Sequence, residues 1–126
     1  MAFSCPNCGS PRSLTIEVSI ALPPDNRSDD IMLQTVRCNA CRFRGAAVYE
    51  ESRRGSMDSE SWDHRGYIVD ESDLNWLANT INRCPSRKNT KCRCPAHKEL
   101  GRKDETERWL MPDNFSWKKS FPMRIR

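Results

Sequence analysis

The sequence predicts a small α+β domain: an antiparallel sheet built on a hairpin, a helix over it, and cysteine clamps instead of a large apolar core. Three observations predict it. Apolar residues alternate along Leu14, Ile16, Val18 and Ile20, the period of a half-buried strand. They recur at helical spacing at Leu74, Leu77, Ala78 and Ile81, with Trp76 flanking. Seven cysteines and two histidines are placed so that eight of the nine form two sets of four.

Composition explains why clamps are needed. Leu, Ile, Val and Phe make up about 17% of the 126 residues, below the roughly 20% at which highly charged chains become disordered. The net charge is only +4, so self-repulsion is mild. Small polar domains of this kind rely on a metal or a disulfide staple. The cysteine count is odd, and Met1-Ala2-Phe3-Ser4 enters the first cysteine pair with no apolar leader. No segment approaches the roughly 18 apolar residues that span a membrane. The expectation is a soluble, intracellular, cytoplasmic protein whose thiols bind metal rather than pair as disulfides.

The elements follow in order. Cys5-Pro6-Asn7-Cys8-Gly9 reads as a metal knuckle, two thiolates across a tight turn. Leu14 to Ile20 is the first long strand, and the polar run Pro23 to Asp30 turns the chain back. Ile31 to Arg37 returns to a second knuckle, Cys38-Asn39-Ala40-Cys41, and Phe43 to Glu51 leaves as a third strand. Four thiolates make zinc the expected ion, in a coordinatively closed, structural site. CPNCG followed by R-C-x-x-C-x-F resembles the zinc-ribbon superfamily, in look the ribbons of small phage late-transcription activators and of bacterial nucleotide-reductase repressors. The 29 residues between Cys8 and Cys38 exceed the usual gap of about 15–20. The resemblance implies a ribbon over residues 1–54, with residues 55–126 packed against it.

Residues 52–66 are rich in Ser, Gly and charge and read as a loop, Trp62 anchoring it, before a short strand at Tyr67 to Val69. Asp70 is the expected N-cap of the helix, with Glu71 and Asp73 in its first turn. Pro85 ends the helix near Arg83, because the residue before proline avoids helical geometry. Cys84, Cys92, Cys94 and His97 then supply a second ligand set, although the spare His64 is an alternative fourth ligand. Two zinc ions are therefore expected. Asp104 and Glu107 have the spacing of a capping box for a short helix through Met111. Trp109, Phe115 and Trp117 are expected to pack on the body. Phe115, Trp117, Phe121 and Ile125, interleaved with Lys118, Lys119, Arg124 and Arg126, also have the pattern of a base-stacking tail.

Charge is uneven along the chain: residues 1–54 carry +1, 55–82 carry −5 and 83–126 carry +8. Such asymmetry points to an anionic partner for the last third. Arg87, Lys88, Lys91 and Arg93, grouped on the metal-organised turn, are the residues expected to touch phosphate. The reading is a non-enzymatic zinc protein that binds nucleic acid or a nucleic-acid-associated complex. One alternative is a protein-interaction adaptor that uses the acidic middle or the ribbon edge. Another is a small metal-dependent nuclease using Asp58, Glu60, Asp63 and His64.

Overall fold

The computed structural model describes residues 2–53, 61–112, 115 and 117–124. Six strands and two helices follow one another among them: β1 (Ala2–Phe3), β2 (Leu14–Leu22), β3 (Asp30–Cys38), β4 (Arg44–Ser52), β5 (Ser61–Ile68), α1 (Glu71–Asn82), α2 (Pro95–Leu100) and β6 (Lys119–Pro122). The strands form one sheet in chain order, every neighbouring pair antiparallel. Its ends curl toward each other into a half-barrel. The Ser4 amide donates to the Arg124 carbonyl at 2.7 Å, and the Phe3 ring meets His64 of β5 edge to face at 5.1 Å. No described helix is long and apolar enough to cross a membrane.

A bulge decides how β2 is used. The register with β3 shifts between Ile16 and Val18, leaving Glu17 as the extra residue. An inserted residue flips every later side chain to the other face. Leu14 therefore joins Phe3, Val36, Ala47 and Phe121 on one face, while Ile20 and Leu22 join Ile31, Leu33, Ala46 and Val48 on the other. Simple alternation had assigned Ile16 to the buried set, yet it is 37% exposed. The centre of the sheet is thus apolar on both sides, unlike a one-sided hairpin.

The larger of the two clusters contains Leu74, Leu77 and Ile81 of α1 with Leu100, Trp109 and Phe115. Asp70 occupies the N-cap position of α1, but its side chain makes no capping bond and instead pairs with Lys118 at 2.5 Å. Trp117 stacks edge to face on Tyr67 at 5.0 Å.

Two expectations need correction, and one element was not anticipated. Ser61 to Gly66 is strand, not loop, because β4 extends to Ser52 and offers it a full ladder from Ala46 to Ser52. Residues 104–111 are not helical. Asp104 Oδ1 accepts from the amides of Thr106 at 2.8 Å and Arg108 at 3.2 Å, and Lys103 bridges Trp109. A side chain that satisfies its own neighbours in this way competes with helix formation. Finally, α2 begins at Pro95 with Cys94 as its N-cap, a favourable start that was present in the sequence.

Candidate metal centres

The first centre gathers ligands from two tight turns at one end of the half-barrel. Cys5 and Cys8 follow β1, Cys38 ends β3, and Cys41 lies in the turn before β4. Their four sulfurs lie within 4.8 Å of one another. Cys5 Sγ is 3.7 Å from Cys41 Sγ, and Cys8 Sγ is 3.8 Å from Cys38 Sγ. A tetrahedral ion with metal–sulfur bonds of about 2.3 Å has sulfur–sulfur edges of about 3.8 Å. A disulfide needs about 2.05 Å. The donor set therefore fits zinc and not a cross-link.

The two knuckles are built alike. The Asn7 amide points at Cys5 Sγ at 3.4 Å, and the Ala40 and Cys41 amides both point at Cys38 Sγ at 3.3 Å. Gly9, at φ +76°, adopts the left-handed backbone that brings its amide onto the Cys5 carbonyl at 2.9 Å. Burial raises the pKa of Cys38, but the Ser13 hydroxyl and the Ala40 and Cys41 amides outweigh it and bring the thiol down to about 6. Burial instead pushes Cys5 up to about 12. The set thus joins thiols that hydrogen bonds draw toward the thiolate with one that burial holds toward the thiol, and a bound cation would favour the thiolate form of all.

The second centre lies beyond α1. Cys84 follows the helix, Cys92 sits in the next turn, and Cys94 and His97 belong to the start of α2. Cys84 Sγ is 3.8 Å from Cys92 Sγ, and His97 Nδ1 lies 3.2 Å from Cys84 and 3.4 Å from Cys94. The far ring nitrogen, Nε2, is 2.9 Å from the Ala21 carbonyl of β2. Donating there fixes the tautomer and leaves the Nδ1 lone pair for a metal, the usual outer-shell arrangement for a ligating histidine. Burial works upward on Cys94, but the His97 amide and ring prevail and bring it down to about 6. Cys84 is pushed up to about 11 by burial. With three sulfurs and one nitrogen this site too fits zinc, which when bound would supply structural cross-linking only.

His64 plays no part in it. Its Nε2 is 2.8 Å from Gln34 Oε1, and its ring packs between Phe3 and Tyr49. Burial holds its pKa below the ordinary imidazole value. The fourth ligand of the second set is therefore His97. The nuclease grouping does not assemble from its described members either. Asp63 and His64 are successive residues of β5 and project to opposite faces, and Asp63 lies 3.8 Å from Arg65 instead. Asp58 and Glu60 lie outside the described residues, as do Ile125 and Arg126.

Arg87, Lys88, Lys91 and Arg93 are all exposed on the turn that carries the second ligand set. Arg87 donates to Asn82 Oδ1 at 3.0 Å, and the turn is tied by Asn89, whose amide donates to Ser86 O and whose side chain accepts from the Lys91 amide. Lys91, Arg93 and Lys98 line one cleft with Pro23 and Gly101. None of the four predicted phosphate contacts has a carboxylate within ion-pair distance among the described residues, whereas Arg44, Arg53 and Arg108 do.

Sequence reasoning missed the node at Asp25. Its carboxylate accepts from the amides of Arg27, Ser28 and Trp109 and from the Arg108 guanidinium, which also reaches Glu50. Only the Asp-rich loop composition hinted at it, and the partners lie 83 and 84 residues away in sequence. Comparison with known proteins adds no relative: no family model, no curated protein and no solved structure matches the chain.

Proposed function

We infer that this is a non-enzymatic, two-zinc protein that binds the phosphate backbone of nucleic acid, alone or within a nucleic-acid complex, through the turn of the second centre. The observation that carries the reading is a group of four exposed cations, Arg87, Lys88, Lys91 and Arg93, without a carboxylate partner among the described residues, on a turn that a metal would hold rigid. Cations held in a fixed array meet successive phosphates without first being ordered, so each contact releases a counterion at little entropic cost.

The test is fluorescence anisotropy of the zinc-loaded protein with a labelled generic duplex over a range of salt. Four phosphate contacts predict a log–log slope of about −3 to −4. Replacing Lys91 or Arg93 by alanine is expected to weaken binding to every sequence alike and to reduce the slope by about 1. Affinity that stays flat with salt, or no binding at low salt, rules the reading out.

A further inference from the structure

The open side of β2 carries a second binding surface. Among the described residues, the two of β1 pair with Thr15 and Leu14 and reach no further along β2. Further along, the Ala21 amide donates to the Arg87 carbonyl at 2.8 Å, and its carbonyl faces His97. Ala21 therefore aims both its backbone groups away from β3, and strand alternation aims those of Ser19 the same way. Residues 16–20 form an edge window bounded at each end by the chain's own backbone. Across it runs a groove of about 540 Å³ whose far wall is Pro85, Arg87 and Lys88.

We propose that this edge seats an extended acidic peptide of a partner protein, which adds to β2 as a further strand. The chain itself already makes the first such contact, since Arg87 pairs with Ala21 as a strand neighbour would. The added strand would use the Ser19 amide and carbonyl, lay an apolar side chain on exposed Ile16, and present its carboxylates to Arg87 and Lys88. Glu17 does not oppose them. Its carboxylate is drawn onto the sheet face by Arg44 at 3.0 Å and Thr35 at 3.0 Å. A second copy of this chain fits poorly, because edge-to-edge pairing sets Arg87 and Lys88 against their own counterparts. The window is also too short to nucleate open-ended pairing, the usual hazard of a bare edge.

This surface shares Arg87 and Lys88 with the nucleic-acid reading but does not rest on it, and the test is chosen so that each can fail without the other. The zinc-loaded chain is titrated, with amide shifts followed by NMR, against a capped probe peptide of alternating valine and glutamate. Shifts are expected at Ile16 to Ile20 and Ser86 to Lys88. A peptide of the same charge, N-methylated on alternate residues so that it cannot pair, is expected to bind about tenfold or more weakly, the loss of one or two backbone hydrogen bonds. Arg87→Glu with Lys88→Glu leaves the sheet intact and should weaken the unmodified peptide similarly. Equal binding of the methylated peptide, or shifts elsewhere, overturns strand addition. So does an oligothymidine that moves the same β2 amides, since it has no amides to pair and would mark the groove as a general polyanion site.

Discussion

Asp25 gathers three backbone amides and a guanidinium on one carboxylate, with its side chain fully removed from solvent. Burial alone would raise its pKa, but the amides of Trp109, Ser28 and Arg27 and the Arg108 guanidinium hold it well below the ordinary carboxylate range. A carboxyl depressed in the folded state contributes stability above its unfolded pKa of about 3.9, and that contribution is lost as pH falls through the folded value. Asp25→Ala leaves three amides and a guanidinium without their acceptor and is expected to cost about 3–5 kcal/mol. Denaturant unfolding of the two proteins should give a gap that is flat between about pH 5 and 8, where the carboxylate is ionised in both states. A gap that widens as pH rises across that window would assign the charge effect to another group. The node also marks what a sequence can reveal. The cysteines were legible because ligands to one ion come in short, fixed spacings. Asp25 was not, because Pro23 to Asp30 reads as a solvated loop and its partners arrive from the far end of the chain.

At the level of elements, periodicity located β2 and α1, and the layout of the two knuckles placed β3 and β4, but neither could say which face each strand would show. The Glu17 bulge is invisible to a pattern of alternating residues, and it sends the two halves of β2 into different clusters. Only the end of β5, at Tyr67 and Ile68, was legible as strand; its mostly polar start, Ser61 to Arg65, looks like loop until a neighbouring ladder is supplied. Gly66 shows how closely β5 and β6 fit. It pairs with Phe121, whose ring lies across the position a β-carbon would occupy and packs edge to face on Phe43 at 5.7 Å. Gly66→Ala must therefore expel the ring from the smaller cluster. The expected cost is about 1–3 kcal/mol, as for overpacking elsewhere, read as a lowered thermal midpoint. Adding Phe121→Leu should recover part of it, since the two substitutions relieve the same collision.

Across the whole molecule, an ion in each candidate centre would tie separate elements together. The first joins the loop after β1 to the β3–β4 turn at one end of the half-barrel. The second joins the end of α1 to α2, and through His97 and Arg87 ties both to the open edge of β2. A structural zinc site contributes apparent folding free energy of about 10–16 kcal/mol, as much as the entire stability of an ordinary domain, about 5–15 kcal/mol. Native mass spectrometry of the purified chain should find two zinc ions, and exhaustive chelation should collapse the amide dispersion of the whole sheet. His97→Ala separates the two contributions. It removes a ligand and the bond to Ala21 together, so the variant is expected to hold one ion, to keep the shifts of β3 and β4, and to lose those of α2 and the 84–94 turn. If the chelated protein keeps its dispersion, the apolar clusters alone are sufficient to fold the chain. If His97→Ala still binds two ions, the second centre has a ligand set other than the one described.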